Sequence, residues 1–222
     1  MFCVVAIGSG SAQSSKAIPH TVLDTDAATV TAYDVPDGQS VSLKTQNGDA
    51  IAILSAPVSW TPATEIDSEG DAEPGEALFL VQGTKRLFYS NFGESSAFSV
   101  YLIDLKHHWA TPMRACDEPK HCVRRIKIGH RTLGESRSFF TNGEVSADRY
   151  QLLKGSTFTL PNSRVKSDVL LVALSPLTAT AGEQPVNLQA GQAQLFPKSN
   201  EIAVTASSGM AMWVVVRMPA TE

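Results

Sequence analysis

The sequence repeats one pattern of short apolar segments, and this repeat limits the possible folds more than any other feature does. Tyr33 and Gly38 recur 117 positions later as Tyr150 and Gly155. The segments alternate apolar and polar side chains and are separated by turn residues, and no long window keeps a helical periodicity. A repeat of this kind predicts an all-β sandwich or barrel that is built twice.

A second match places the boundaries of the two copies. The segment that begins at Gly75 resembles the segment that begins at Gly191, 116 positions later. A chain of 222 residues is long enough for two small β domains. We expect a first unit over residues 19–105, a linker rich in Pro, His and Cys over 106–124, and a second unit over 125–222.

Residues 1–18 have the composition of the tail of a secretory signal. The apolar run from Phe2 to Ile7 is followed by small residues around Gly10, as at the cleavage end of a signal peptide. We therefore expect a periplasmic or secreted protein, with a cytoplasmic protein that has a disordered N-terminus as the alternative. The sequence has no apolar run of the ~20 residues that a membrane span needs, so membrane insertion is not expected.

The charge pattern argues against nucleic acid as a partner. The formal net charge is −4, and acidic and basic residues are mixed along the chain without a basic stripe. Nucleic-acid binding proteins carry such a stripe or patch. The sequence also lacks the glycine-rich nucleotide motifs and the nucleophile elbow of hydrolases. We predict no cofactor and no catalytic residue from these patterns.

Two of the three cysteines lie close together in the predicted linker. Cys116 and Cys122 are six positions apart, which in an oxidising compartment predicts a disulfide. Free thiols are the first alternative. A zinc site is the second, and it would add His107, His108 and His121 to the two thiols, although the spacing fits no closed zinc motif.

Each unit resembles a cupin, a small jelly-roll β-barrel. The resemblance rests on the glycine spacing, as at Gly38 and Gly155, and on the order of the strands, and it covers nearly the whole chain after residue 18. It implies two tandem cupin-like jelly-roll β-barrels. In this family three histidines and a glutamate hold a divalent metal inside the barrel, so the resemblance also indicates where a metal site would lie.

The metal positions of that family carry unsuitable residues in both units. In the first unit the three histidine positions fall on Lys44, Gln46 and Arg86, and the glutamate position falls on Ala50 or its neighbour. In the second unit only Asp168 keeps a donor of the right kind. Divalent metals need deprotonated donors, which lysine provides only at a cost and arginine cannot provide. We therefore predict no metal in either barrel.

The same positions suggest a different ligand. Lys44, Gln46 and Arg86 in one barrel interior favour a small anionic or hydroxylated molecule, with Asp168 as a weaker site in the second barrel. In the alternative arrangement the two cations extend to the rim and pair with acidic residues. The prediction is a non-catalytic bicupin, either ligand-binding or structural, as a monomer or homodimer. The alternatives are a cupin-type isomerase, lyase or oxygenase with an atypical or absent metal, and an accessory protein that acts through its outer face.

Overall fold

Strands make up most of the molecule. The computed structural model describes residues 17–45, 48–62, 70–90, 96–106, 113–116, 122–160, 167–198 and 201–220. Within these ranges the chain forms twenty strands joined by turns and loops. None of the described residues belongs to a helix with the length and hydropathy of a membrane span.

The strands up to Leu105 form two antiparallel sheets. The larger sheet has the order β1 (Ile18–Asp24), β2 (Ala28–Val35), β9 (Phe98–Leu105), β4 (Ala50–Leu54), β7 (Ala77–Leu80). The smaller sheet has the order β3 (Ser40–Lys44), β8 (Lys85–Ser90), β5 (Val58–Pro62), β6 (Gly70–Ala72). Most consecutive strands therefore lie in opposite sheets, which is the topology of a jelly roll.

The remaining strands repeat this arrangement. Their larger sheet has the order β10 (Arg114–Ala115), β12 (Arg131–Thr141), β13 (Ser146–Leu152), β20 (Ala211–Pro219), β15 (Ser167–Ala173), β18 (Ala193–Phe196), with β11 (Val123–Ile128) also paired to β12. Their smaller sheet has the order β14 (Thr157–Thr159), β19 (Ile202–Thr205), β16 (Leu177–Ala181), β17 (Gln184–Leu188). The predicted all-β fold with two tandem jelly rolls is confirmed.

The strand registers show which positions of the two barrels are equivalent. In the first barrel Thr29 lies directly opposite Asp104. In the second barrel Ser146, which follows Thr29 by 117 positions, lies opposite Arg217. The repeat seen in the sequence is therefore a repeat of ladder positions, and Asp104 and Arg217 occupy the same place in their barrels.

Three apolar clusters hold the molecule together. The first fills the first barrel around Phe88, and the second fills the second barrel around Trp213, both of which are 0% exposed. The third, which we call the seam core, lies between the two larger sheets and takes side chains from both, including Val30, Ile103 and Val214. Its burial joins the two barrels through an apolar interface.

Alternation along the strands of the larger sheets decides which side chains reach a barrel and which reach the seam. Successive side chains of a strand point to opposite faces of its sheet. On β2, Val30 and Ala32 belong to the seam core, so Thr29 and Tyr33 face the first barrel. On β9, Ile103 belongs to the seam core, so Asp104 also faces the first barrel.

The segment between the barrels contains the disulfide. Cys116 and Cys122 are joined with an S–S distance of 2.04 Å and a Cα–Cα distance of 5.8 Å, which lies within the usual range for a disulfide. The three histidines that the zinc alternative would require, His107, His108 and His121, lie outside the described residues.

Candidate functional site

A cavity of about 560 Å³ opens at the mouth of the first barrel. Thr29 and Tyr33 from β2 and Asp104 from β9 contribute polar groups to its wall, and Lys44 and Lys106 also line it. The neighbouring strands β2 and β9 hold these groups in fixed register, because Thr29 and Asp104 are direct cross-strand partners. A cavity of this size is large enough for one small ligand.

Asp104 is the most unusual group in this cavity. It is partly buried near the end of a largely apolar strand, and burial raises the pKa of its carboxyl above the ordinary value. No cation among the described residues forms an ion pair with it. A partly desolvated carboxylate without a protein partner has acceptor capacity that a ligand can use.

Tyr33 shares the environment of Asp104. Burial raises the pKa of the Tyr33 phenol, and the negative charge of Asp104 raises it further. The phenol therefore keeps its proton at neutral pH and acts as a hydrogen-bond donor or acceptor. Together the two side chains offer one donor and several acceptor sites inside the cavity.

Lysine side chains stand at the rim of the cavity. The Lys106 ammonium is fixed by Asp24, at 2.7 Å, and by the carbonyl of Thr25. Lys44 is exposed at the end of β3. Among the described residues no carboxylate forms an ion pair with Lys44.

The predicted position of Lys44 inside the barrel is wrong. Val41 and Leu43 are the buried residues of β3, and the residues between them are exposed, so alternation turns the Lys44 side chain outward. Lys44 therefore reaches the cavity only at its rim. Gln46, the second predicted ligand of this barrel, lies outside the described residues.

Arg86 faces the barrel side of the smaller sheet but is not part of the described cavity wall. It lies opposite Leu43 in the ladder, which is 3% exposed. Its guanidinium lies 4.2 Å from the centre of the Trp60 ring, a cation–π contact. The structure thus brings Arg86 together with Trp60, and it does not bring Arg86 into the wall shared by Asp104 and Tyr33.

Asp168, the weaker predicted ligand-binding residue of the second barrel, does not lie in the barrel interior where the prediction placed it. Asp168 is 0% exposed and has the same strand parity as Leu170, which belongs to the seam core. Its side chain therefore points away from the barrel interior. Its carboxylate accepts the backbone N–H of Lys198 at 2.9 Å and so stabilises a turn after β18, as Asp49 does for Gln82 in the first unit.

The mouth of the second barrel holds an internal ion pair at the position equivalent to Asp104. Arg217 Nη1 lies 3.2 Å from Asp148 Oδ2. Burial raises the pKa of the Asp148 carboxyl, while Ser138, Arg217 and Arg124 oppose that rise. Burial also raises the pKa of Tyr150, the counterpart of Tyr33. The polar groups of this mouth therefore satisfy one another.

Comparison with solved structures identifies the architecture. No family model matches the sequence, and no curated protein matches it. A cupin 2 conserved barrel domain protein from Leptotrichia buccalis matches 94% of this chain and 91% of its own, with 9% identity and a TM-score of 0.55. Procruciferin, an 11S globulin from Brassica napus, matches 95% and 86%, with 8% identity and a TM-score of 0.61.

The chain has the cupin fold. The resemblance of its two units to cupins is thereby confirmed at the level of fold. HEPD from Streptomyces albus, solved with 2-hydroxyethylphosphonate and Fe(II), also matches 98% of this chain and 73% of its own, with 8% identity and a TM-score of 0.66. The fold is therefore shared with an Fe(II)-bound protein as well as with a globulin, and it does not by itself assign a function.

The metal site that the resemblance to cupins implies does not fit the described residues of this chain. Ala50, at the family's glutamate position, is buried inside the first barrel and offers no side-chain donor. Arg86 cannot lose its proton. Within the described ranges no three His, Cys, Asp or Glu side chains come together as a metal-binding group. We therefore base no functional step on a metal.

Sequence reasoning missed Asp104 and Tyr33 as site residues. A signal was present, because Asp104 is the single charged residue in the apolar run Phe98–Leu105 and takes the place of Arg217 in the repeat. The family motifs lie on other strands, so motif matching did not include β9 and β20.

Proposed function

We propose that this protein is a non-catalytic binding protein that holds a small hydroxylated molecule in the mouth of its first barrel. The observation that carries the proposal is the unpaired, partly buried Asp104 carboxylate beside Tyr33 in the barrel-mouth cavity. Burying a carboxylate without a partner is unfavourable. A ligand that donates hydrogen bonds to Asp104 would remove that cost.

The chemistry of the wall favours hydroxyl groups over a simple anion. Asp104 accepts hydrogen bonds and repels negative charge, and Tyr33 can both donate and accept. The Thr29 hydroxyl donates its proton to Asp24 at 2.7 Å, so it can only accept from a ligand. A vicinal diol can donate to the Asp104 carboxylate and to the Thr29 hydroxyl oxygen and can accept from the Tyr33 phenol at the same time. The Lys44 ammonium at the rim can accommodate an acid group at the far end of such a ligand, so sugars and sugar acids are the class we expect.

The contrast between the two barrels supports the choice of the first one. At the equivalent position of the second barrel, Arg217 and Asp148 pair with each other at 3.2 Å. A ligand there would have to replace an ion pair that already satisfies both groups. In the first barrel the uncharged Thr31 occupies the position that Asp148 occupies in the second. No ion pair like that of Arg217 with Asp148 can therefore form between Asp104 and this position.

Thermal shift and calorimetric titration with glucose, gluconate, glucuronate, xylose and myo-inositol test this proposal. We expect at least one of these probes to raise the melting temperature of the wild-type protein. Asp104→Asn should lower the affinity for that probe about tenfold or more, because a hydrogen bond to a charged group contributes roughly 1.5–3 kcal/mol. Tyr33→Phe should weaken it less.

The matched control is Asp37→Asn, because Asp37 is an exposed aspartate in the turn after β2 and does not line the cavity. This variant should bind as the wild type does. If none of the probes binds, or if Asp104→Asn binds as tightly as the wild type, the barrel-mouth proposal is wrong.

An enzyme is the second candidate, because a carboxyl with a raised pKa next to a phenol is also a possible acid–base pair. Metal analysis of protein purified without chelators separates the two candidates. Stoichiometric Mn, Fe, Zn or Ni, or conversion of a bound probe that is lost in Asp104→Asn, would favour the enzyme. A bound probe recovered unchanged from metal-free protein would favour the binding protein.

A further inference from the structure

A second and larger cavity, of about 720 Å³, lies where the two units meet. Strand β7 of the first unit and strands β10 and β12 of the second unit contribute to its wall, and the Cys116–Cys122 disulfide forms one side. We call it the seam cavity. It is separate from both barrel mouths, and its volume lies within the range of small-molecule sites.

One part of the seam cavity is apolar. Phe79 from the first unit and Phe140 from the second pack edge to face, with ring centroids 5.7 Å apart, and both line the cavity together with Met113. Such a wall can hold an aromatic ring or a short alkyl body, since aromatic rings and a thioether adapt well to apolar ligands.

The other part of the seam cavity carries ion pairs between the two units. Glu73 accepts a hydrogen bond from Arg137 at 2.9 Å and lies 3.5 Å from Arg149. Arg149, which is largely buried, also donates to the carbonyl of Pro74 at 2.7 Å. Both arginines are therefore engaged by a single turn of the first unit.

These pairs leave an excess of carboxylate in the seam cavity. Among the described residues, three glutamates and two arginines line it, and the arginines are already engaged by Glu73 and Pro74. The Glu135 carboxylate forms an ion pair with Arg149 at 3.8 Å, a distance too long for a hydrogen bond, so its oxygens keep acceptor capacity for a ligand. Glu76 uses one oxygen to accept the backbone N–H of Glu73. Among the described residues that line the cavity, carboxylates therefore outnumber cations, and this wall favours a cation over an anion.

The equivalent seam on the other side of the molecule differs. Gly191, the repeat partner of Gly75, faces Tyr101 there, and the cavity is about 410 Å³. Its wall includes His20 and Asp34, which lie 3.6 Å apart. The described residues of this wall include neither a phenylalanine pair nor a disulfide. In the part of the chain that the structure describes, the apolar wall and the carboxylate excess thus occur at one of the two seams.

We propose that the seam cavity binds a small amphipathic cation, with an aromatic or short alkyl body against Phe79 and Phe140 and a primary ammonium on Glu135. This site is independent of the barrel-mouth function proposed above. The charge excess selects an amine over an acid of the same shape, and the apolar wall supplies affinity that an ammonium ion alone would lack.

Calorimetric titration of the full chain with three isosteric probes tests the proposal, namely 2-phenylethylamine, 2-phenylethanol and phenylacetate. The amine should bind most tightly, the alcohol more weakly, and phenylacetate least. Glu135→Gln should lower the affinity for the amine about tenfold and leave the affinity for the alcohol unchanged. Ala115→Trp, at an exposed cavity-lining position, should fill the cavity and remove binding of both.

The matched control is Glu144→Gln, because Glu144 is exposed in the turn after β12 and is not part of the cavity wall. It should bind the amine as the wild type does. Equal affinities for the amine and phenylacetate, or unchanged binding in Glu135→Gln or in Ala115→Trp, would overturn the proposal. Loss of amine binding in Asp104→Asn would also overturn it, since the amine would then occupy the barrel mouth.

Discussion

Replacing Gly75 with alanine measures how tightly the two units fit together. A Cβ atom there would lie 2.7 Å from Cδ of Arg149 and 3.1 Å from Cδ1 of Leu174, and the residue has a φ of +76°. Arg149 cannot easily move away, because its side chain is only 10% exposed and its guanidinium is held by Pro74. The substitution therefore combines backbone strain with a steric overlap.

The magnitude follows from separating these two costs. A positive φ costs an alanine about 1–2 kcal/mol relative to glycine, and overpacking of a fitted interface costs roughly 1–3 kcal/mol more. Gly155→Ala measures the backbone cost alone, because Gly155 has a φ of +72° and no atom lies within 4 Å of the position that an added Cβ would take. Gly75→Ala should therefore exceed Gly155→Ala by about 1–3 kcal/mol.

Urea denaturation of the two variants measures this difference, and a third variant locates its cause. In an Arg149→Ala background the overlap with Cδ disappears, so the cost of Gly75→Ala should fall toward that of Gly155→Ala. This non-additivity is expected for residues in contact. Equal costs for Gly75→Ala and Gly155→Ala in the wild-type background would refute the reasoning, because they would show that the interface adjusts without penalty.

Three further outcomes follow from the barrel mouths and the disulfide. Burial raises the pKa of Asp104, so its carboxyl holds a proton more tightly in the folded protein than in the unfolded chain. The folded protein therefore loses stability as the pH rises through the pKa of folded Asp104. Asp104→Asn should raise the melting temperature of the protein at pH 7 and change it little at pH 3. Arg217→Met should lower the free energy of unfolding by about 3 kcal/mol in urea titrations, because it leaves Asp148 partly buried without its cation, and an effect below that of an exposed pair would contradict this. Cys116→Ser should lower the free energy of unfolding by about 2 kcal/mol in the absence of reductant. Dithiothreitol should lower the free energy of unfolding of the wild type to the same value and leave that of the variant unchanged.

The sequence predicted the fold well, because the fold depends on features that repeat. The turns at Gly38 and Gly155 have positive φ, so their spacing fixed the ends of the strands in both units. The apolar run Phe98–Leu105 of the sequence coincides with strand β9 of the structure. Strand patterns of this kind depend on residues that are close together in the sequence, so they can be predicted without knowing the long-range contacts.

The candidate site was predicted less well, because it depends on strand parity. Lys44 and Asp168 were placed in the barrels by counting from a glycine, and an error of one residue moves a side chain to the other face of its sheet. The cross-strand pairing of Thr29 with Asp104, and the ion pair of Asp148 with Arg217, join residues more than 60 positions apart. No local pattern indicates such contacts.

The seam core gives a single polypeptide the kind of apolar interface that a dimer of two half-length chains would have. A half that ended after Leu105 would leave the outer face of its larger sheet, with Ile53 and Ile103, in contact with water and would require a second copy to cover it. In a symmetric pair of identical halves, any change to the interface would occur twice. In a single chain the two seams can differ, and here one carries the disulfide and the buried Arg149 while the other places Gly191 against Tyr101.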